Sequence, residues 1–171
     1  MTIKKFKIFL ASNIEKEEKW LTEMSNKGLH LTKYRLMTYY FEEDPNNSYV
    51  YQTDFRPEAD EDYFQLYRDA GWEYVDDAVN LFHYFRKDNR EQGVKKIYSD
   101  KESVKESYSR MMRFYITLFL LVLLTQVGLF ATWRGLWVQY LSLGIVLPVV
   151  ILYVFLLFSL RRRVKFYNKK G

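Results

Sequence analysis

Few side chains in this sequence have the type and spacing that catalysis or metal binding requires. The two histidines, His30 and His83, stand in separate strand-like segments, and the chain contains no cysteine that could complete a metal site with them. The acidic run 60–62 resembles a metal-binding or acid–base group, but carboxylates in a first helical turn also stabilise the helix dipole, and we favour that role. The acidic run 42–44 precedes Pro45 and indicates a solvated turn. The sequence therefore predicts no metal ion and no cofactor.

The motifs of common enzyme classes are absent from the sequence. It has no phosphate-binding loop, no dinucleotide-binding glycine pattern and no nucleophile elbow. Because it has no cysteine, thiol chemistry and disulfides are excluded as well. We expect a protein that is not an enzyme.

The elements that must position any site change character near residue 114. Residues 114–133 are 20 consecutive uncharged residues, and residues 136–160 are 25 more. At the helical rise of about 1.5 Å per residue, the shorter segment spans about 30 Å, which is the thickness of the hydrocarbon layer. Only Arg134 and Gly135 separate the two segments, and two residues suffice only for an antiparallel turn. The sequence predicts a hairpin of two transmembrane helices.

Basic residues predict the orientation of this hairpin. Seven Lys or Arg residues lie in 90–113 and six lie in 161–171, whereas only Arg134 lies between the spans. Basic flanks stay on the cytoplasmic side of a membrane. We therefore predict a two-span plasma-membrane protein with both termini in the cytoplasm, a basic juxtamembrane linker helix at 90–113 and a basic tail at 161–171. The partner that we expect for these flanks is a bilayer with anionic headgroups, and not nucleic acid.

The polar residues within the two spans are uncharged. Gln126 in the first span and Gln139, Ser142 and Gly144 in the second are interpreted as helix-packing positions, because such residues are common between membrane helices. Neither span contains an acidic or basic residue, which argues against an ion or proton path through them.

The first half of the chain repeats itself at an offset of about 43 residues. Gly28 matches Gly71, and the helical pattern around Trp20 matches that around Tyr63. We predict an α+β fold in which duplicated βαββ units form antiparallel sheet with helices on one face, followed by the transmembrane hairpin. The two units are predicted at about 3–44 and 48–88, within a cytoplasmic domain at 1–89.

Local signals predict how the two helices of this domain begin and end. Ser12 with Glu15 fits a capping box for the first helix, and Asp60 fits the N-cap of the second. Gly28 and Gly71 follow the two helices, at positions where a left-handed backbone is favoured. All of these are backbone roles and carry no chemistry.

Aromatic residues make up 19% of the chain, and many of them fall on the predicted strands. They either fill a small core with few aliphatic residues or form an exposed surface for a partner, and the sequence leaves both interpretations open. Under the second interpretation, we predict Trp20, Phe55, Trp72 and Tyr84 as binding residues.

A series of short motifs resembles a known bacterial family. The motifs are Lys4-Lys5-Phe6-Lys7-Ile8-Phe9, Lys27-Gly28-Leu29-His30-Leu31, Thr53-Asp54-Phe55-Arg56, Ala70-Gly71-Trp72-Glu73-Tyr74-Val75, Tyr84-Phe85-Arg86-Lys87 and Ile97-Tyr98-Ser99-Asp100. Their order and spacing, over roughly residues 4–110, resemble the family called domain of unknown function 2812 (DUF2812). The resemblance implies membrane proteins of mainly Gram-positive bacteria, often encoded near PadR-type transcriptional regulators. It implies a regulated envelope function and supplies no catalytic residues.

Two functions follow as hypotheses. The first is a non-enzymatic, membrane-anchored cytoplasmic interaction or sensory and regulatory module, which binds a protein partner or a small apolar ligand or forms a homo-oligomer. The alternative is an accessory subunit of a membrane transporter or channel complex, with Gln126, Gln139 and Ser142 facing neighbouring helices.

Overall fold

The computed structural model describes residues 2–90, 96–97 and 101–169. The chain divides into two compact units, Met1–Ser99 and Asp100–Gly171. The first unit contains β1 (Thr2–Phe6), a 3-10 turn (Ala11–Asn13), α1 (Ile14–Ser25), β2 (Leu29–Arg35), β3 (Thr38–Glu43), β4 (Tyr49–Phe55), α2 (Glu61–Asp69), β5 (Glu73–Ala78) and β6 (Phe82–Asp88). The second unit contains α3 (Lys101–Ala131) and α4 (Trp137–Lys169).

Each βαββ unit forms its own three-stranded antiparallel sheet. The strand order is β1-β3-β2 in the first sheet and β4-β6-β5 in the second. In both sheets the helix connects the two edge strands, and the hairpin that follows places the last strand in the middle. The predicted α+β class and the antiparallel pairing of the strands are confirmed.

The predicted backbone roles of three residues are confirmed. Gly28 and Gly71 have φ angles of +76° and +79°, so both follow their helices in the left-handed conformation. A side-chain oxygen of Asp60 accepts the N–H of Tyr63 at 2.9 Å and caps α2.

The predicted N-cap position of Ser12 is wrong. A 3-10 turn precedes α1, and it places Asn13 at the N-cap without a side-chain capping bond. Ser12 lies inside that turn and is buried. The extra turn moves the start of the helix one residue beyond the position that the capping pattern requires.

The core of the first unit is largely aromatic and lies between the two sheets and α1. Its main cluster combines residues of α1 with residues of both sheets: Leu21, Met24, Leu31, Tyr39, Phe41, Tyr51 and Tyr84. A smaller cluster of Tyr67, Trp72 and Phe85 lies beside α2. Aromatic rings therefore fill most of a core that has few aliphatic side chains.

The second unit consists of two helices that are long and apolar enough to cross a membrane. The candidate spans are Glu102–Ala131 and Trp137–Tyr167, and 0% and 6% of their most apolar windows are buried. A core helix of a soluble protein would be mostly buried, so this exposure fits a two-span membrane protein. The helix α3 runs without a break from the basic region into the first predicted span. Of the predicted linker at 90–113, residues 91–95 and 98–100 lie outside the described part of the chain.

Candidate ligand-binding cleft

The four aromatic residues predicted to bind a partner do not form one surface. Phe55, Trp72 and Tyr84 are 0%, 4% and 2% exposed, and Trp20 is half-buried. Trp20 and Tyr84 belong to the main core, whereas Trp72 belongs to the cluster beside α2. The ring of Phe55 packs against Phe82 at a centroid distance of 5.0 Å. These positions are those of core residues, and a binding role for them stays a prediction.

Gln139 closes the turn between α3 and α4. Its Oε1 accepts the backbone N–H groups of Arg134 and Leu136, both at 3.1 Å. Its Nε2 donates to the carbonyl oxygens of Leu129 at 3.3 Å and Thr132 at 3.1 Å. The side chain is only 3% exposed, so it serves the backbone of the turn.

The other predicted packing residues of the spans differ from one another. Ser142 in α4 and Gln126 in α3 form a hydrogen bond of 3.2 Å between Oγ and Oε1, which joins the two helices. A Cβ built on Gly144 would meet no atom within 4 Å. Gly144 therefore lies outside the contact between α3 and α4 of this chain.

A cleft with a volume of about 400 Å³ opens beside α2, next to the hairpin of β5 and β6. This volume falls within the range of small-molecule sites in proteins. The lining comes from the loop before α2, from α2 itself, from both strands and from the turn between them: Glu58, Ala59, Phe64, Tyr74, Asp77, Asn80 and His83.

Aromatic rings form the apolar part of the cleft. The rings of Phe64 and Tyr74 meet edge to face at 4.9 Å, and those of Phe64 and His83 at 5.4 Å. Tyr74 is 38% exposed, although its ring packs against three aromatic neighbours, Phe64, His83 and Phe85. A flat apolar group entering the cleft would contact rings that already hold each other in place.

One ring nitrogen of His83 lacks a hydrogen-bond partner within residues 2–90, 96–97 and 101–169. Its Nε2 lies 2.9 Å from the carbonyl oxygen of Arg56, and because a carbonyl only accepts, Nε2 carries the proton in the neutral ring. Nδ1 is then an acceptor, and it has no partner among the residues that the structure describes. The residue is 3% exposed. An unpaired buried acceptor costs about 1–3 kcal/mol, so its presence in the lining of a cleft calls for a functional explanation.

A buried aspartate occupies the strand position opposite His83. Asp54 pairs with His83 across β4 and β6 and is 2% exposed. Its Oδ2 accepts the hydroxyl groups of Tyr63 and Tyr67, both at 3.0 Å. Burial and the nearby Asp54 raise the pKa of Tyr63, so its hydroxyl remains a donor. These bonds fix α2 against the second sheet and so fix one wall of the cleft.

The rim of the cleft carries negative charge. Asp77 Oδ2 accepts the hydroxyl of Tyr74 at 2.9 Å, and its Oδ1 accepts the N–H of Asn80 at 2.7 Å. Burial and then the bond to Asp77 raise the pKa of Tyr74, so this hydroxyl also stays protonated. Glu58 adds a second, exposed carboxylate. Two carboxylates beside apolar rings favour a ligand with a positive charge.

The rings and carboxylates that line the cleft are suited to binding a ligand. Within the described residues, no group of three or more His, Asp or Glu side chains could hold a metal ion. The sequence singled out His83 but not Phe64, Tyr74 or Asp77. No periodic pattern marks these three, because they meet only when α2 packs on the second sheet.

Comparison with known proteins places the chain in a family. The model of the family described as "Protein of unknown function (DUF2812)" matches residues 13–120. The chain belongs to the DUF2812 family. The match includes both helices of the first unit and the first part of α3. No curated protein matches the chain, and no solved structure matches it. The family resemblance seen in the sequence is confirmed, and since the DUF2812 description states no activity, a function has to be inferred from the site.

Proposed function

We propose that this DUF2812 chain is a membrane-anchored, non-enzymatic sensory module whose N-terminal domain binds a small aromatic amine in the cleft. The decisive observation is that Nδ1 of His83, in the lining, has no hydrogen-bond partner in the described part of the chain. A ligand N–H group would give this acceptor a partner. The ring of the ligand would lie against Phe64 and Tyr74, and its positive charge would be attracted to Asp77.

Two features support the membrane part of the proposal. The exposed apolar helices α3 and α4 would anchor the domain in the lipid. The excess of Lys and Arg before α3 and after α4 favours a cytoplasmic domain and cytoplasmic termini. The output of such a module would be a contact with a protein partner or with a second copy of the chain.

The polar residues of the spans support this module over an accessory subunit of a transporter or channel. Gln126 and Ser142 bond to each other, and Gln139 bonds to the turn between the helices. These bonds lie within one hairpin, where they hold its two helices together.

Calorimetric titration of the full chain in lipid nanodiscs tests the cleft. Tryptamine is the probe, and indole-3-propionate, which has a similar ring and the opposite charge, is the matched control ligand. We expect tryptamine to bind, and we expect Asp77→Asn and Tyr74→Ala each to weaken it about tenfold, or about 1.4 kcal/mol. Leu66→Ala changes a side chain that is 68% exposed and outside the cleft lining, so its affinity should be that of the wild type.

Two results would contradict the proposal. One is equal affinity for the two indoles, since the acidic rim would then have no effect on ligand choice. The other is unchanged tryptamine affinity in folded Tyr74→Ala protein, since the ligand would then bind elsewhere.

A further inference from the structure

The turn between β2 and β3 presents two apolar side chains to the outside. Leu36 is 88% exposed and Met37 is 45% exposed. Their φ angles are +44° and +65°, the left-handed conformation of both central residues of a type I′ turn. Asn and Gly are preferred in such turns because other side chains are strained there. Packing within the domain does not explain why this turn has Leu and Met.

The outer face of the first sheet extends this apolar tip with basic and aromatic residues. On the central strand β3, Tyr39 and Phe41 are buried toward the core, so the residues that alternate with them face outward. The strand register sets two outward rows across the three strands: Phe6-Thr38-Arg35 and Lys4-Tyr40-Lys33. We call these six residues the lysine-aromatic face.

Phe6, Lys4 and Lys33 of this face are available for contact with a partner, whereas Arg35 forms an ion pair with Asp76, with 3.2 Å between Nη1 and Oδ2. Phe6 is 70% exposed, and Lys4 and Lys33 are exposed as well. Lys4 Nζ lies 5.4 Å from the centroid of the Tyr40 ring, so the cation and the ring sit side by side. A backbone bond of 2.9 Å from Lys7 N–H to the carbonyl of Met37 ties β1 to the tip. Apolar and cationic groups therefore form one continuous surface.

The matching turn of the second repeat has the same shape and the opposite charge. Val79 and Asn80 have φ angles of +53° and +55°, and Val79 is 76% exposed. Asp76 and Asp77 precede Ala78 and Val79 in the sequence. The corresponding segment before Leu36 contains the basic residues Lys33 and Arg35. The two turns thus allow two exposed aliphatic tips with different neighbouring charges to be compared, although Arg35 beside the first turn pairs with Asp76 before the second.

We propose that Leu36, Met37 and the lysine-aromatic face dock the N-terminal domain onto an anionic bilayer surface. Cationic side chains would meet lipid headgroups while the apolar tip and Phe6 enter the interface, as in other peripheral membrane contacts. Charge complementarity favours lipid at this face, because all three of its charged residues are basic, whereas residues 1–89 as a whole carry 12 basic against 17 acidic residues. The proposal rests on membrane anchoring by α3 and α4, which keeps a bilayer near the domain, and is independent of the cleft.

Single cysteines provide a direct test, because the chain has none of its own. Leu36→Cys and Val79→Cys are each labelled with an environment-sensitive NBD fluorophore in the full chain. The protein is reconstituted at one copy per nanodisc, in phosphatidylcholine alone or with phosphatidylserine, and the discs contain doxyl-labelled lipid as a quencher. Retention of the chain in membranes after carbonate washing is measured first, so a failure of anchoring is recognised separately from a failure of docking.

We expect the label at position 36 to be blue-shifted and quenched in discs with phosphatidylserine, and the label at position 79 to remain in water. The lysine pair variant Lys4→Glu, Lys33→Glu should weaken this docking by about thirtyfold or more, since each of the two basic residues near such a surface contributes about 1 kcal/mol. No quenching at position 36 in an anchored chain overturns the proposal. Quenching of equal strength without phosphatidylserine overturns the role of charge, and a blue shift that appears only with two copies per disc assigns the face to self-association instead.

A second variant separates docking from folding. Leu36→Asn with Met37→Gly installs the residues that a type I′ turn prefers. We expect its thermal denaturation midpoint to rise while docking, measured through NBD at Phe6→Cys, is lost. If docking persists in this folded variant, the apolar tip has no part in it and the proposal is wrong.

Discussion

Two neighbouring glutamates in α1 show how single carboxylates join the repeats. Glu17 is 7% exposed, and its Oε1 accepts the hydroxyl groups of Tyr39 at 2.5 Å and Tyr84 at 2.6 Å. Burial raises the pKa of Glu17, and these two bonds oppose the rise. Glu18 Oε1 accepts the N–H of Thr53 at 2.8 Å. Burial raises the pKa of Glu18 to about 8, with the bond from Thr53 opposing it.

The raised pKa of Glu18 predicts that the domain loses stability as pH rises. The unfolded chain releases the Glu18 proton near its ordinary pKa of 4.5, whereas the folded chain holds it up to about pH 8. Between these values the folded state binds more protons, so the free energy of unfolding falls by at most about 1.4 kcal/mol per pH unit. Glu18→Gln removes this contribution, so its stability curve should be flatter between pH 5 and pH 8.

Pulse proteolysis in urea, on the full chain in nanodiscs, measures this stability. The matched control is Glu23→Gln on the exposed side of the same helix, which should keep the pH dependence of the wild type. A Glu18→Gln curve parallel to that of the wild type would show that Glu18 is ionised throughout this range.

At the scale of elements, side chains of α1 accept hydrogen bonds from the free edge of β4. The N–H groups of alternate strand residues Tyr49, Tyr51 and Thr53 point to this edge. They donate to side chains one helical turn apart: Ser25 Oγ at 2.7 Å, Thr22 Oγ1 at 3.0 Å and Glu18 Oε1 at 2.8 Å. A helix face with acceptors at this spacing thus replaces a missing strand, which protects an edge that could otherwise pair with another chain.

Removing one acceptor from this helix face should destabilise the domain. Thr22→Val leaves the N–H of Tyr51 without its partner, and we expect a loss of about 1–2 kcal/mol in the free energy of unfolding. Thr53→Val is the same chemical change at a buried hydroxyl that has no hydrogen-bond partner within the described residues. It should be neutral or stabilising, and urea titrations of both variants in parallel measure the difference. Equal losses would mean that packing volume, and not the hydrogen bond, decides the effect.

At the scale of the whole molecule, the chain combines an α+β domain with a pair of exposed apolar helices. The turn between these helices has Gly135 at a φ of +69°, and Gln139 satisfies its backbone. Hydrogen bonds from the side chains of Gln139 and Ser142 join the two helices without water, which suits helices in lipid. The orientation of the chain in the membrane stays a prediction, which is made from the basic flanks.

Cysteine labelling in intact cells measures that orientation. Leu136→Cys, in the turn, should react with a membrane-impermeant maleimide added outside, because basic flanks resist translocation and keep the opposite ends inside. Glu106→Cys, an exposed position near the start of α3, should react only after the cells are permeabilised. The reverse pattern would place the N-terminal domain outside the cell and would exclude a cytoplasmic sensor.

The sequence by itself determined the features that depend on a continuous stretch of chain. The two apolar helices follow from composition, because the free energy of insertion is summed over neighbouring residues. Local backbone preferences account for Asp60 at the N-cap of α2 and for Gly28 and Gly71 after their helices. Even here a 3-10 turn places Asn13, and not Ser12, at the N-cap of α1.

Tertiary structure alone decided which side chains meet across the repeats. Tyr84 reaches Glu17 although 67 residues separate them, and this contact gives Tyr84 a core position that its residue type did not distinguish from a surface one. His83 became part of a cleft only because α2 brings Phe64 against β5 and β6. Such contacts depend on the packing of whole elements, and hydrophobic periodicity specifies which face of an element is buried but not which residues of another element it will contact.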